Sequence, residues 1–299
     1  MRVGVTGGSG FIGSHVVDAL MKSGHETRVI DLIPPHREDV EFSRTNIVNF
    51  EELKQALSDL DVLFHLAAVS NVINYGEKPI ASTNVNVTAT VNLLEACCQF
   101  DVDRFIFAST VWVYGAAHHL EVDEGTPFSL DGAGHPYTTS KIASELFIQD
   151  YIRLYGQKST ILRYGIPYGP RARKGTVIPV FVERVMAGQD LTIFGDGESG
   201  RNFLYVEDLA DGNVRALSPK AENEVYNLDG SEEITLNRIA KTAIELLGAD
   251  VSIEYKDARP GDYVNRRVSI EKAKRDLGWE PKTEFEDGLR RYVDWLKTQ

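Results

Sequence analysis

Apolar and polar positions follow two periods along the first half of the chain. "RVGVT", "ETRVID", "DVLFHLA", "RFIFAST" and "KSTILRY" are short apolar runs of the kind that form buried strands. Between them, residues 11–23, "FEELKQAL", about 80–99 and about 138–155 repeat at the helical period. Strands alternating with helices predict an α/β fold built on a doubly wound parallel sheet. Beyond Arg163 the pattern loosens. Proline and glycine punctuate "GIPYGPRARKG", and helices are predicted near 178–187, 207–217 and 235–247. An amphipathic helix, "EDGLRRYVDWL", closes the chain. The expected division is a sheet domain over 1–163 and a smaller C-terminal α/β domain over 164–299, with 225–229 able to return to the sheet.

Composition narrows the class without changing this picture. The chain has 299 residues, 42% of them hydrophobic and 25% charged, and no apolar run long enough for a membrane span. "MRVGVTGGSG" does not read as a secretory leader, since glycines interrupt its short apolar segment. A cytoplasmic location is expected. Cys97 and Cys98 are adjacent within a helical stretch and read as reduced packing residues. Net charge is −12, from 44 acids against 32 bases, which argues against a nucleic-acid partner. It leaves room for a small anionic ligand held by a few arginines. No histidine or acid cluster shows metal-ligand spacing, so no metal is expected.

Candidate chemistry begins at "TGGSGFIG". Gly7, Gly10 and Gly13 follow the first strand and open the first helix, where free N–H groups can take a pyrophosphate. The first domain is therefore read as a Rossmann-type dinucleotide-binding unit. Asp31 closes the second strand, where a carboxylate accepts bonds from ribose hydroxyls and repels a 2′-phosphate. That favours NAD over NADP, although Arg37 stands a few residues on. In "HPYTTSK", Pro136 suits a helix start and places Tyr137 and Lys141 on one helical face. A free tyrosine titrates near ~10. A lysine ammonium beside it, with a positive nicotinamide ring, would stabilise the phenolate as a base. Thr110, at the end of "RFIFAST", can share a substrate hydroxyl proton with Tyr137 or cap its own backbone.

With these residues in place the chain resembles the extended short-chain dehydrogenases/reductases, in their nucleotide-sugar epimerase/dehydratase branch. The motifs are "TGGSGFIG", "HLAA", "NVTATVNLLEA", "STVWVYG", "PYTTSK", "RYGIPYGP", "GDGESGRNFLYVEDLADG" and "RPGDY". The resemblance implies a tightly bound NAD. Phe11, Ile12, Asp31, Leu32, Leu66, Ala67, Ala68, Asn86, Tyr137, Lys141 and Tyr164 would line its site. Asn46 and Ile47 stand where the family has an acid and an aliphatic residue at the adenine. Arg201 and Arg259 match two arginines that hold a diphosphate, Val177 would present its backbone to the nucleobase, and Phe194 would pack near it. It further implies a homodimer through a four-helix bundle, formed by the helices around 80–99 and 138–155.

Three departures bear on the sugar. Gly165 and Ile166 replace a common aromatic residue and asparagine, Asn202 replaces an aspartate, and Ser70 and Tyr75 replace common residues after "HLAA". His118 and His119 are expected in a solvent-exposed loop. The dehydratases carry an Asp-Glu pair, and the decarboxylases a glutamate, where this chain has Val111 and Trp112. The expected activity is therefore reversible 4-epimerisation of a UDP-sugar, with Thr110, Tyr137 and Lys141 as catalytic residues. A reductase or dehydrogenase with exchangeable cofactor, and a non-catalytic NAD-sensing protein, are the alternatives.

Overall fold

The computed structural model describes residues 1–115, 121–129, 134–257 and 267–299, and of residues 72–74 the backbone alone. Arg259, His118 and His119 lie outside the described residues. The first half contributes β1 (Arg2–Thr6), β2 (Glu26–Asp31), β3 (Glu41–Arg44), β4 (Val62–His65), β5 (Arg104–Thr110), a two-residue β6 (Glu121–Val122) and β7 (Lys158–Tyr164). Its helices are α1 (Phe11–Lys22), α2 (Phe50–Leu57), α3 (Val72–Glu77), α4 (Pro79–Thr83), α5 (Ala89–Gln99) and α6 (Pro136–Tyr155). The second half adds β8 (Ile166–Tyr168), β9 (Leu191–Phe194), β10 (Gly200–Tyr205), β11 (Glu224–Leu228), β12 (Glu233–Thr235), β13 (Ile253–Lys256) and β14 (Arg267–Val268). With them come α7 (Val177–Met186), α8 (Val206–Arg215), α9 (Leu236–Leu247), α10 (Glu271–Leu277) and α11 (Phe285–Leu296).

Seven strands form one parallel sheet in the order β11-β7-β5-β4-β1-β2-β3. β5 is buried at every position, as a strand with parallel neighbours on both edges and helices on both faces must be. One face packs Val3, Val5, Val16 and Leu20 against Leu209 and Ala210 of α8 and the buried Trp279. The other packs Phe105 and Phe107 against Leu53, Leu93, Leu94 and Ile148. A third core joins α7, α9 and α11 through Phe181, Ile239 and Leu289. Thus β11, α8 and α10 belong in space with the first half of the chain. The strand order reverses between β1 and β4, which opens a crevice at their carboxyl ends.

Candidate active site

The crevice is a cleft of about 710 Å³. Its floor begins at the turn between β1 and α1. Gly7 has a left-handed φ of 70°, and a Cβ there would stand 2.7 Å from the Ala67 nitrogen. At Gly13 a Cβ would come within 2.1 Å of the Gly7 carbonyl oxygen. Gly10 caps α1 without a side chain, so the first amides of the helix point outward unpaired by any cap. These spaces and donors fit a pyrophosphate.

Gly7, Gly10, Phe11, Ile12 and Gly13 all line the cleft. So do Asp31, Leu32, Asn46 and Ile47 on one side, and Leu66, Ala67, Ala68 and Tyr164 on the other. Asp31 accepts the Ser9 amide at 3.1 Å and the Leu32 amide at 2.7 Å. Arg37 is engaged elsewhere: it donates to Asp39 at 2.6 and 2.7 Å and to Asp18 at 2.8 Å. Asn46 Oδ1 accepts from the Val48 amide at 3.1 Å, which leaves it one free lone pair. The Tyr164 hydroxyl donates to Asn213 on α8 and is buried, so only its ring faces the cleft.

Asn86 departs from the expectation. It does not reach the cleft wall. Its amide accepts the Val69 N–H at 2.8 Å and donates to Val69 O at 3.1 Å and Ser140 Oγ at 3.0 Å. It props the segment after β4 from behind. It can do so because residues Asn84–Thr88 form a π-turn between α4 and α5, which swings Asn86 inward.

At the other end of the cleft stand Thr110, Tyr137 and Trp112. Thr110 caps its own backbone: its Oγ1 accepts the Trp112 amide at 3.2 Å. It also stands on the cleft wall with Tyr137, close enough to act on the phenol's titration. His135 caps α6 by accepting the Thr138 amide, and Pro136 occupies the first turn. This start places Tyr137 at the cleft and Lys141 one turn deeper. Lys141 is buried, and its Nζ donates to the Ala108 carbonyl at 2.7 Å, 6.0 Å from the centre of the Tyr137 ring.

Burial dominates both groups. It pushes the Tyr137 phenol up to about 12, against the Arg173 charge and the Thr110 hydroxyl. It lowers the Lys141 amine to about 7, opposed by Glu145. The expected lowering of Tyr137 by Lys141 is therefore not what this state shows, because desolvation outweighs the ion at that distance.

Sequence reasoning gave Arg173 no role in the cleft and read Trp112 only as the absence of an acid. Trp112 stands edge-on to Tyr137, with ring centres 6.2 Å apart. Arg173 lines the cleft near Tyr137, and its Nη1 donates to Ser70 Oγ at 3.3 Å. Arg171 fastens this loop to α1 by donating to Asp18 at 2.7 Å and to His15 at 3.2 Å. Three basic residues in the proline- and glycine-bounded "GPRARKG" were the available signal.

Val177 begins α7 directly after Thr176, which does line the cleft. Phe194 lies in a separate shallow depression with Tyr255, Lys256 and Asp257. Arg201 on β10 donates to Gly200 O at 2.7 Å and Ser199 Oγ at 3.0 Å and is not on the cleft wall. Tyr75 is a core residue, its hydroxyl 3.0 Å from Thr83 Oγ1. Gly165 and Asn202 meet at Asp229. A Cβ at 165 would lie 1.9 Å from Asp229 Oδ1, and Asn202 hydrogen-bonds the same carboxyl group.

Residues 3–229 match the NAD dependent epimerase/dehydratase family. A putative UDP-glucose 4-epimerase of Methanocaldococcus jannaschii is 34% identical over 304 residues, covering 98% of this chain and 97% of the relative. The crystal structure of a UDP-glucose 4-epimerase with UDP-glucose from Thermotoga maritima matches with a TM-score of 0.91 at 34% identity, covering 100% of this chain and 99% of that one. UDP-glucuronic acid 4-epimerase from Bacillus cereus, in complex with UDP-glucuronic acid and NAD, matches with a TM-score of 0.89 at 31% identity, covering 100% and 99%.

Proposed function

Because the chain belongs to the NAD dependent epimerase/dehydratase family, we propose that it interconverts the C4 epimers of a UDP-sugar. The observation that carries this reading is the chemistry of the cleft wall. Among the described residues Asp31 is its only carboxylate. Asp31 ends β2, three strands from Thr110 on β5, or ~14 Å at ordinary strand spacing. Expelling a C6 hydroxyl needs an acid and a base beside C5 and C6. Val111 is buried apolar packing and Trp112 is an aromatic wall, so neither moves a proton. Thr110 and Tyr137 suffice to take the O4 proton and return it.

Gly7, Gly10 and Gly13 would hold the pyrophosphate of NAD, Asp31 its adenosine ribose, and Ala67, Ala68 and Tyr164 its nicotinamide end. NAD bound there supplies a reversible acceptor for the C4 hydride. An accepting Asp31, with Arg37 already occupied by two carboxylates, favours NAD over NADP. Burial keeps Tyr137 protonated, and Lys141 and Arg173 are the cations placed to offset it. The uridine diphosphate would extend past Val177 toward Arg201 and Phe194.

One feature favours an acidic sugar as a second substrate reading. Arg173 places a guanidinium beside Tyr137, where a C6 carboxylate could meet it. The test is incubation with UDP-glucose, UDP-galactose, UDP-glucuronate and UDP-N-acetylglucosamine. A product of unchanged mass, inverted at C4 by NMR and formed without net NADH, is expected. Fastest turnover of UDP-glucuronate would favour the acidic sugar. A product lighter by one water or one carbon dioxide would overturn the epimerase reading.

A further inference from the structure

Three consecutive residues at the end of β5 each face one residue of α6. Thr110 shares the cleft wall with Tyr137, the Ala108 carbonyl accepts Lys141 Nζ at 2.7 Å, and Ser109 Oγ donates to Glu145 Oε1. Tyr137, Lys141 and Glu145 follow at successive helical turns, so one face of α6 carries all three. Glu145 is 1% exposed, and its carboxylate takes Arg163 Nη2 at 2.7 Å and Nε at 3.1 Å. Arg163 Nη1 in turn donates to the Tyr114 hydroxyl at 2.6 Å, which donates to Asn227 Oδ1 at 2.9 Å. The carboxylate is thus fixed from two strands.

A buried ion pair adds little stability over apolar residues of the same size. Packing alone does not account for an acid at this place. Its neighbour does. Lys141 is buried with its amine 4.5 Å from the centre of the Phe107 ring, and Glu145 follows it by one turn on the same face of α6, where its charge opposes the effect of burial on the amine. The other titratable groups around Lys141 are Tyr137 on the same helix, His65 on β4 and Arg163 on β7 behind Glu145. His65 is held neutral by burial, with its pKa lowered to about 3.

We propose that Glu145 is a positioning residue for the reaction: its carboxylate, oriented by Arg163 and Ser109, keeps Lys141 charged so that Lys141 can support the Tyr137 phenolate. This rests on Tyr137 and Lys141 acting as the acid–base pair of the epimerase reading. Burial already lowers the Lys141 amine to about 7. Without Glu145 the amine would shed its proton at still lower pH, and the pair would lose its productive charge state.

Glu145→Gln keeps the shape, and an oxygen for Ser109 and Arg163, while removing the charge. In the NAD-loaded enzyme kcat should fall about tenfold with KM within about twofold, and the alkaline limb of the kcat profile should move down by about one pH unit. NMR of isotope-labelled lysine should show the same earlier deprotonation of Lys141 without turnover. Glu145→Asp, which keeps the charge, should return the limb toward wild type. If the single variant does not fold because Arg163 is left unpaired, Glu145→Gln with Arg163→Met removes both charges and should still carry the lowered limb. An unmoved limb in the folded single or double variant overturns the inference, whatever its thermal stability. Absence of wild-type turnover on every UDP-sugar offered would instead remove the reading on which it rests.

Discussion

Asp229 is 2% exposed and lies on the segment following β11, with the Gly230 amide and Asn202 as its hydrogen-bond partners. No cation among the described residues bears on it, and burial raises its carboxyl to about 7. An unfolded aspartate releases its proton near ~4. Between those values the folded chain binds more protons than the unfolded one, so stability falls as pH rises through this window. Asp229→Asn keeps the shape and removes the titration. Its melting temperature should exceed wild type at pH 8 by the equivalent of a few kcal/mol, on the order given by the shift, and converge with it at about pH 4. Equal differences at both pH values would mean that Asp229 is ionised throughout. The same residue explains two oddities of the sequence. Gly165 and Asn202 were visible there as separate departures, and they accommodate one carboxyl group. Nothing in a linear reading could join them, since the three residues come from separate segments (between β7 and β8, on β10 and after β11) and Asp229 itself matched no motif.

Elements were legible where a single face or a glycine turn defined them. The opening of α1 is an example: its three glycines announced a close backbone approach, and the Gly7 carbonyl stands where a Gly13 side chain would begin. Gly13→Ala should therefore abolish NAD binding measured by calorimetry, or cost so much stability that no folded protein is recovered. A folded variant with wild-type affinity would show that the turn can yield. Other elements left no signal. β3 is half-exposed at its two middle positions, so "EFSR" lacks an apolar run. The stretch around 80–99 reads as one helix, yet it is α4, a π-turn and α5. One extra residue in a helical turn shifts the repeat too little to stand out from ordinary sequence noise, although it is the turn in which Asn86 is buried. Arg173 as a cleft residue, and Trp112 as an aromatic wall, were hard to read for a related reason. A wall residue is defined by the space it faces, which belongs to another part of the chain.

At the scale of the whole molecule, the outer surface carries an apolar stripe. Leu146, Phe147, Leu154 and Tyr155 of α6 are 53%, 40%, 65% and 63% exposed, and Ile80 on α4 is 79% exposed. A four-helix bundle of the kind the resemblance implies needs surplus apolar surface on the helices around 80–99 and 138–155. In the fold α5 is largely enclosed by α2 and α6, and the surplus sits on α6. A homodimer joined through this face is expected, because patches of this kind mark interaction sites on soluble proteins. Light scattering at micromolar concentration should give twice the chain mass, and Phe147→Glu with Leu154→Glu should halve it. A wild-type monomer would show that the stripe has another use. The shared core has a different consequence. Because β11 completes the edge of the main sheet and α8 and Trp279 seal one of its faces, no cut near residue 163 would leave two intact pieces. The C-terminal half cannot be exchanged between relatives as a cassette, since it would carry away part of the N-terminal half's interior.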